Sequence, residues 1–101
     1  MDLKAFRSTL ADNSPPPELS PALSALWHEA KDDWQRAHNI VQEEADRNSA
    51  WVHAYLHRKE GDAGNAAYWY ERANQPVPTD SLSAEWDRIA GVLLTREPTR
   101  T

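Results

Sequence analysis

The stretch 47-RNSAWVHAYLHRKEGDAGNAAYWYERANQPVP-78 decides the fold. Its first half predicts a helix starting near Asn48-Ser49 and running through Ala50 to Lys59, with Ala50, His53, Ala54 and His57 on one face. Glu60-Gly61 ends that helix, because glycine adopts the left-handed conformation of a helix C-terminus at no steric cost. Asp62 then offers a carboxylate N-cap to a second helix, in which Ala63, Ala66, Tyr70 and Ala73 share one side. Pro76 and Pro78 close the unit, since neither can continue a helix. The stretch predicts an antiparallel helical hairpin whose small residues let two backbones approach closely.

The chain resembles itself. Shifted by 29 residues, Leu26-Trp27-His28 falls on Tyr55-Leu56-His57, Asp32-Asp33 on Gly61-Asp62, Ala25 on Ala54 and Ala37 on Ala66. A period of this size marks a repeat architecture in which a single unit cannot bury its apolar face alone. The earlier copy reads as a hairpin over 21–46. Ser20-Pro21 is its N-cap and first helical residue, Leu23, Leu26, Trp27 and Ala30 form an apolar stripe, and an aspartate of Asp32-Asp33 caps a helix carrying Trp34, Ala37 and Val41. Leu3, Phe6 and Leu10 predict a short amphipathic helix over 2–11, and residues 12–20, with Pro15-Pro16-Pro17, predict a linker. Leu82, Trp86, Ile89 and Leu93 predict a last helix within 79–97, stopped before Pro98. No strand alternation occurs anywhere, so the fold is read as all-α.

Composition excludes several functions. There are no cysteines, which removes disulfides, thiolate metal sites and cysteine nucleophiles. A net charge of −5 opposes the counterion release that drives nucleic-acid binding. The amino terminus, Met1-Asp2-Leu3-Lys4-Ala5-Phe6-Arg7, lacks the apolar core of a signal peptide, and no apolar run reaches bilayer length. A cytoplasmic protein without membrane contact is the expectation.

Ala54, Gly61-Asp62, Ala66, Tyr70, Ala73 and Pro78 together resemble the small, turn, aromatic and proline positions of a tetratricopeptide or Sel1-like repeat. The likeness is best over 47–78. In the first hairpin Asp32 stands at the turn glycine, Glu44 at the late alanine, and the closing proline is missing. The resemblance implies a short α-solenoid of two tetratricopeptide-like hairpins, with capping helices at both termini. Trp51–Arg58 and Asn65–Tyr70 are also similar to a group of small bacterial proteins of uncharacterised function, from which no activity follows.

Two sets of residues compete as a site. At 100° per residue, Trp51, Tyr55, Arg58 and Lys59 cluster opposite His53 and His57, and the repeat resemblance implies that this side lines a concave groove. Aromatics and arginine dominate binding hot spots, so these four residues are the expected site for a protein or peptide partner. His53 and His57, at i and i+4, form the alternative: two imidazoles on one face, with a third ligand to come from His28, His38 or a carboxylate. Alanine follows His53 where an HExxH motif places its general base, and His28 and His57 occupy equivalent repeat positions, as packing residues do. Trp34 and Trp69 read as plugs of helix junctions.

The sequence therefore predicts a non-catalytic interaction module with no cofactor, for which a homodimer would complete a short repeat array. The competing readings are a histidine-based or metal-dependent enzyme and a small-ligand domain with an aromatic pocket.

Overall fold

In the computed structural model, which describes residues 1–97, an oxygen-bearing side chain caps the amino end of every α-helix. Asp2 caps α1 (Leu3–Ser8), which runs on into a single 3-10 turn at Thr9–Ala11. Ser20 caps α2 (Pro21–Ala30), with proline at the position where a missing amide costs nothing. Asp33 caps α3 (Trp34–Gln42), Asp46 caps α4 (Arg47–Lys59), Asp62 caps α5 (Ala63–Ala73) and Ser81 caps α6 (Leu82–Arg96). The expected start of α4 at Asn48-Ser49 moves to Arg47, because Asp46 accepts the Ser49 amide at 3.0 Å. The expected stop at Pro98 lies outside the described residues. No strand occurs among the described residues.

The two hairpins turn in the same way. The amides of Asp33 and Asp62 each donate to a histidine carbonyl five residues back, His28 and His57, at 2.9 Å. The residue before each cap is left-handed, Asp32 at φ 63° and Gly61 at φ 88°. Asp32 thus takes the conformation that the glycine supplies in the second copy.

Helix α4 is the centre of the molecule. It packs against α2, α3, α5 and α6, and every residue from Ser49 to His57 is buried. Ala54, Ala66 and Ala73 are buried along the α4–α5 contact, where small side chains let the helices close up. The terminal helices do not stand at opposite ends of a row. α1 packs on α6, with Phe6 stacked on Trp86 at 5.8 Å and Arg7 paired to Asp87 at 3.1 Å. The linker is pinned by Lys31 Nζ, which donates to the carbonyls of Leu10 and Asp12. Extents of 37 × 27 × 24 Å follow from this closure. No helix among the described residues is long and apolar enough to cross a membrane.

Candidate functional site

The face of α4 expected to form a groove is covered by α6. Trp51 and Tyr55 are 4% and 3% exposed, and the Arg96 guanidinium lies over the Trp51 ring at 5.6 Å. Arg58 donates to Glu85 of α6 at 2.8 Å and to the Asp80 carbonyl, and Lys59 pairs with Glu29 of α2. The expectation of an open groove is corrected accordingly. The amphipathic α6 packs on this apolar side of α4 and leaves no groove there. Glu85 is fully buried and also accepts from Tyr70 Oη at 2.5 Å. Burial and the neighbouring carboxylate push the Tyr70 hydroxyl far above the usual phenol range, which keeps it a donor.

The opposite face gathers three histidines. One helical turn separates His53 from His57, and α3, lying across α4, brings His38 to meet them. His38 Nε2 and His53 Nε2 are 3.1 Å apart, and one ring nitrogen from each of the three residues lies within 4.8 Å of the others. Two nitrogens bound at about 2.0–2.1 Å to a tetrahedral zinc stand about 3.3 Å apart, so the observed pair is already at ligand spacing. His28, the other candidate third ligand, is not in this group; its ring packs edge-on to Trp27 at 5.1 Å.

Aromatic walls fix the imidazoles. Trp34 stacks on His38 at 4.9 Å and donates its Nε1 hydrogen to the Leu56 carbonyl at 2.8 Å. Trp69 of α5 stacks on His53 at 3.9 Å. Both tryptophans do plug helix junctions, and those junctions form the walls of the histidine cluster. Glu60 Oε2 lies 3.2 Å from His57 Nδ1, an outer carboxylate of the kind that orients a ligating imidazole and leaves Nε2 for the metal. Asp62 falls within the same distance limit of His57 and Glu60, but its carboxylate is occupied in capping α5 through Asn65.

The electrostatics favour neutral rings. Burial, then the neighbouring His38 and His57, lower the His53 pKa to about 4. Burial, then His57, also lower that of His38. Neutral imidazoles keep the lone pairs that metal binding requires. His53 is 4% exposed and its Nδ1 has no hydrogen-bond partner among the described residues. Such an orphan costs about 1–3 kcal/mol.

Comparison with known protein families, with curated proteins and with solved structures finds no match.

His53 and His57 were visible in the sequence as a one-face pair, and His38 as one of several possible partners. Glu60 was missed, although its position three residues after His57 places it on the same side of the chain. Glu29 and Glu85 were also missed; each is an acid beside the apolar stripe of its helix, which is the available signal for a buried carboxylate.

Proposed function

We propose that this chain is a small helical metal-binding protein that holds one divalent transition ion through His38, His53 and His57. The observation that carries the reading is the 3.1 Å approach of two Nε2 atoms with a third histidine at hand. Three imidazoles suit zinc, nickel or copper rather than magnesium or calcium, which require oxygen ligands. His38 is only half-buried, so a fourth position faces solvent and is open to water or an exogenous ligand. Packing alone is a poor account of His53, because it puts a titratable ring where burial and two neighbouring imidazoles oppose its charged form.

The tetratricopeptide-like reading of the two hairpins is supported by their matching left-handed turns and by the buried alanines of α4 and α5. Within that reading the second hairpin supplies two ligands and one wall, and the first supplies the third ligand and the other wall. A partner-binding groove on Trp51, Tyr55, Arg58 and Lys59 is supported less well, since α6 covers two of these side chains and α6 and α2 pair the other two.

Zinc titrated into chelator-treated protein by calorimetry, with cobalt as a spectroscopic stand-in, tests the assignment. One equivalent per chain and a tetrahedral cobalt spectrum are expected, both abolished in His38→Gln with the melting curve of the metal-free protein retained. Wild-type affinity in His38→Gln, or no stoichiometric binding by the wild type, would overturn it.

A further inference from the structure

On the far side of α4 from the histidines, α1, α2, α4 and α6 line an open cavity of about 300 Å³. That volume is at the small end of the range for ligand sites, about 300–1,000 Å³, so it suits a metabolite rather than a peptide. Its apolar lining comes from Leu10, Leu82 and Trp86. Its polar lining divides into groups that are satisfied within the protein and groups that are not.

The satisfied groups are two ion pairs. Arg7 holds Asp87 at 3.1 Å, and Lys59 Nζ engages Glu29 Oε1. The unsatisfied groups are Tyr55 Oη, Glu29 Oε2 and the Asp32 carboxylate, none of which makes a hydrogen bond among the described residues. Tyr55 and Glu29 are each only 3% exposed, and the little surface they keep includes these polar atoms, which open on the cavity. A polar atom that has no protein partner and faces a cavity is free to bond whatever enters it.

The charges define the ligand. Two bases, Arg7 and Lys59, face three acids, Glu29, Asp32 and Asp87, so the lining carries one excess negative charge. The one charged group of the lining without a counter-ion is the Asp32 carboxylate, and Glu29, paired to Lys59 through Oε1, keeps Oε2 as a further acceptor. Tyr55 is held firmly in its hydroxyl form by burial and by Glu29, so it supplies a donor and needs an acceptor.

We propose that this cavity binds a small primary amine bearing an adjacent hydroxyl or carbonyl oxygen. The ammonium group sits between Glu29 Oε2 and Asp32, the oxygen receives the Tyr55 hydroxyl, and the apolar remainder lies against Leu10, Leu82 and Trp86. Sequence analysis singled out Tyr55 and Lys59 for a macromolecular partner; in this site Tyr55 instead contacts a metabolite and Lys59 holds Glu29 in place. The site shares no residue with the histidine cluster, so neither assignment depends on the other.

The test is amide chemical-shift mapping of chelator-treated protein with four probes of similar shape: phenethylamine, phenylalaninol, N-acetylphenethylamine and phenylacetate. Phenylalaninol is expected to bind most tightly and phenethylamine next, shifting the amides of Asp32, Tyr55 and Lys59. The neutral amide and the anion should bind at least about tenfold more weakly, because each lacks the charge-assisted bond to a carboxylate. Asp32→Asn should weaken both amines, asparagine being tolerated at the left-handed φ. Tyr55→Phe, which keeps the ring and its packing, should remove the preference for phenylalaninol over phenethylamine while leaving phenethylamine binding unchanged. The proposal fails if no probe shifts these amides up to about 10 mM, a concentration that reveals even millimolar sites. It fails equally if the anion or the amide binds as well as the amines, or if the preference for phenylalaninol survives Tyr55→Phe.

Discussion

Acidification should destabilise the metal-free protein through His53, by an amount the structure allows to be worked out. Burial and two neighbouring histidines lower its pKa from 6.5 to about 4. The unfolded chain therefore takes up a proton at this ring near pH 6.5 while the native protein does not. Below that pH the unfolded state binds more protons, and native stability falls as the pH falls. The contribution is complete above pH 6.5 and is lost on descending toward pH 4, where the native ring also protonates. At about 1.4 kcal/mol per tenfold change in the binding constant, the full loss is about 3 kcal/mol, of which about 2 kcal/mol is reached by pH 5. That is a sizeable share of the roughly 5–15 kcal/mol that holds a domain folded. Urea unfolding at intervals from pH 7.5 to 5, with chelator present, measures the slope. His53→Phe keeps a ring against Trp69 and removes the titrating nitrogens, so subtracting its curve cancels the carboxylates common to both proteins. Curves that run parallel from pH 7 to 5 would refute the reasoning, because they would mean that His53 takes up its proton as readily in the native state as in the unfolded chain.

Arg58→Met should lower global stability by about 3 kcal/mol in urea, since it leaves the fully buried Glu85 carboxylate with only the Tyr70 hydroxyl; a loss under about 1 kcal/mol would show that the ion pair is not needed to hold that charge. The two hairpin turns should respond in opposite directions in thermal melts: Asp32→Gly removes a side chain from a left-handed position and should stabilise by about 0.5–1 kcal/mol, whereas Gly61→Ala introduces one and should destabilise by about 1 kcal/mol, although nothing lies within 4 Å of the added carbon.

The helices were legible because their signals are local. Ser20-Pro21, Asp33, Gly61 and Asp62 act within one turn of chain, and each does in the structure what its chemistry predicts. The start of α4 was misplaced by one residue because Asp46 and Asn48-Ser49 all carry capping side chains, and only the hydrogen bond to the Ser49 amide separates them. What the sequence did not disclose is which surface of α4 is covered. The alternation of Trp51, Tyr55 and Arg58 with His53 and His57 defines two faces equally well, and the one that receives α6 depends on a contact between residues 58 and 85. The choice of His38 over His28 is of the same kind. Both sit one hairpin away from His57 in sequence, and the crossing of α3 over α4 brings only His38 into the group.

A helix buried along nine consecutive residues must account for every polar side chain it carries, because no solvent remains to do so. Among the residues singled out on α4, Arg58 and Lys59 are answered by Glu85 and Glu29, and His57 by Glu60. Ser49 Oγ and His53 Nδ1 are buried without a partner, and the Tyr55 hydroxyl makes no hydrogen bond but opens on the cavity. His53 and Tyr55 lie on opposite faces, and each stands beside a built feature: Nε2 of His53 beside two further imidazoles, Tyr55 beside a cavity of about 300 Å³ that also exposes Glu29 Oε2 and the unpaired Asp32 carboxylate. Packing explains the paired residues fully, since removing any of them strands a partner. It does not explain why the buried stretch of α4, elsewhere mostly Ala, Val, Leu and Trp, should carry an imidazole and a phenol at these two positions. Leucine or phenylalanine at either position would bury as much surface without a polar atom to satisfy, so the polarity retained at His53 and Tyr55 is a part of α4 that packing alone does not require.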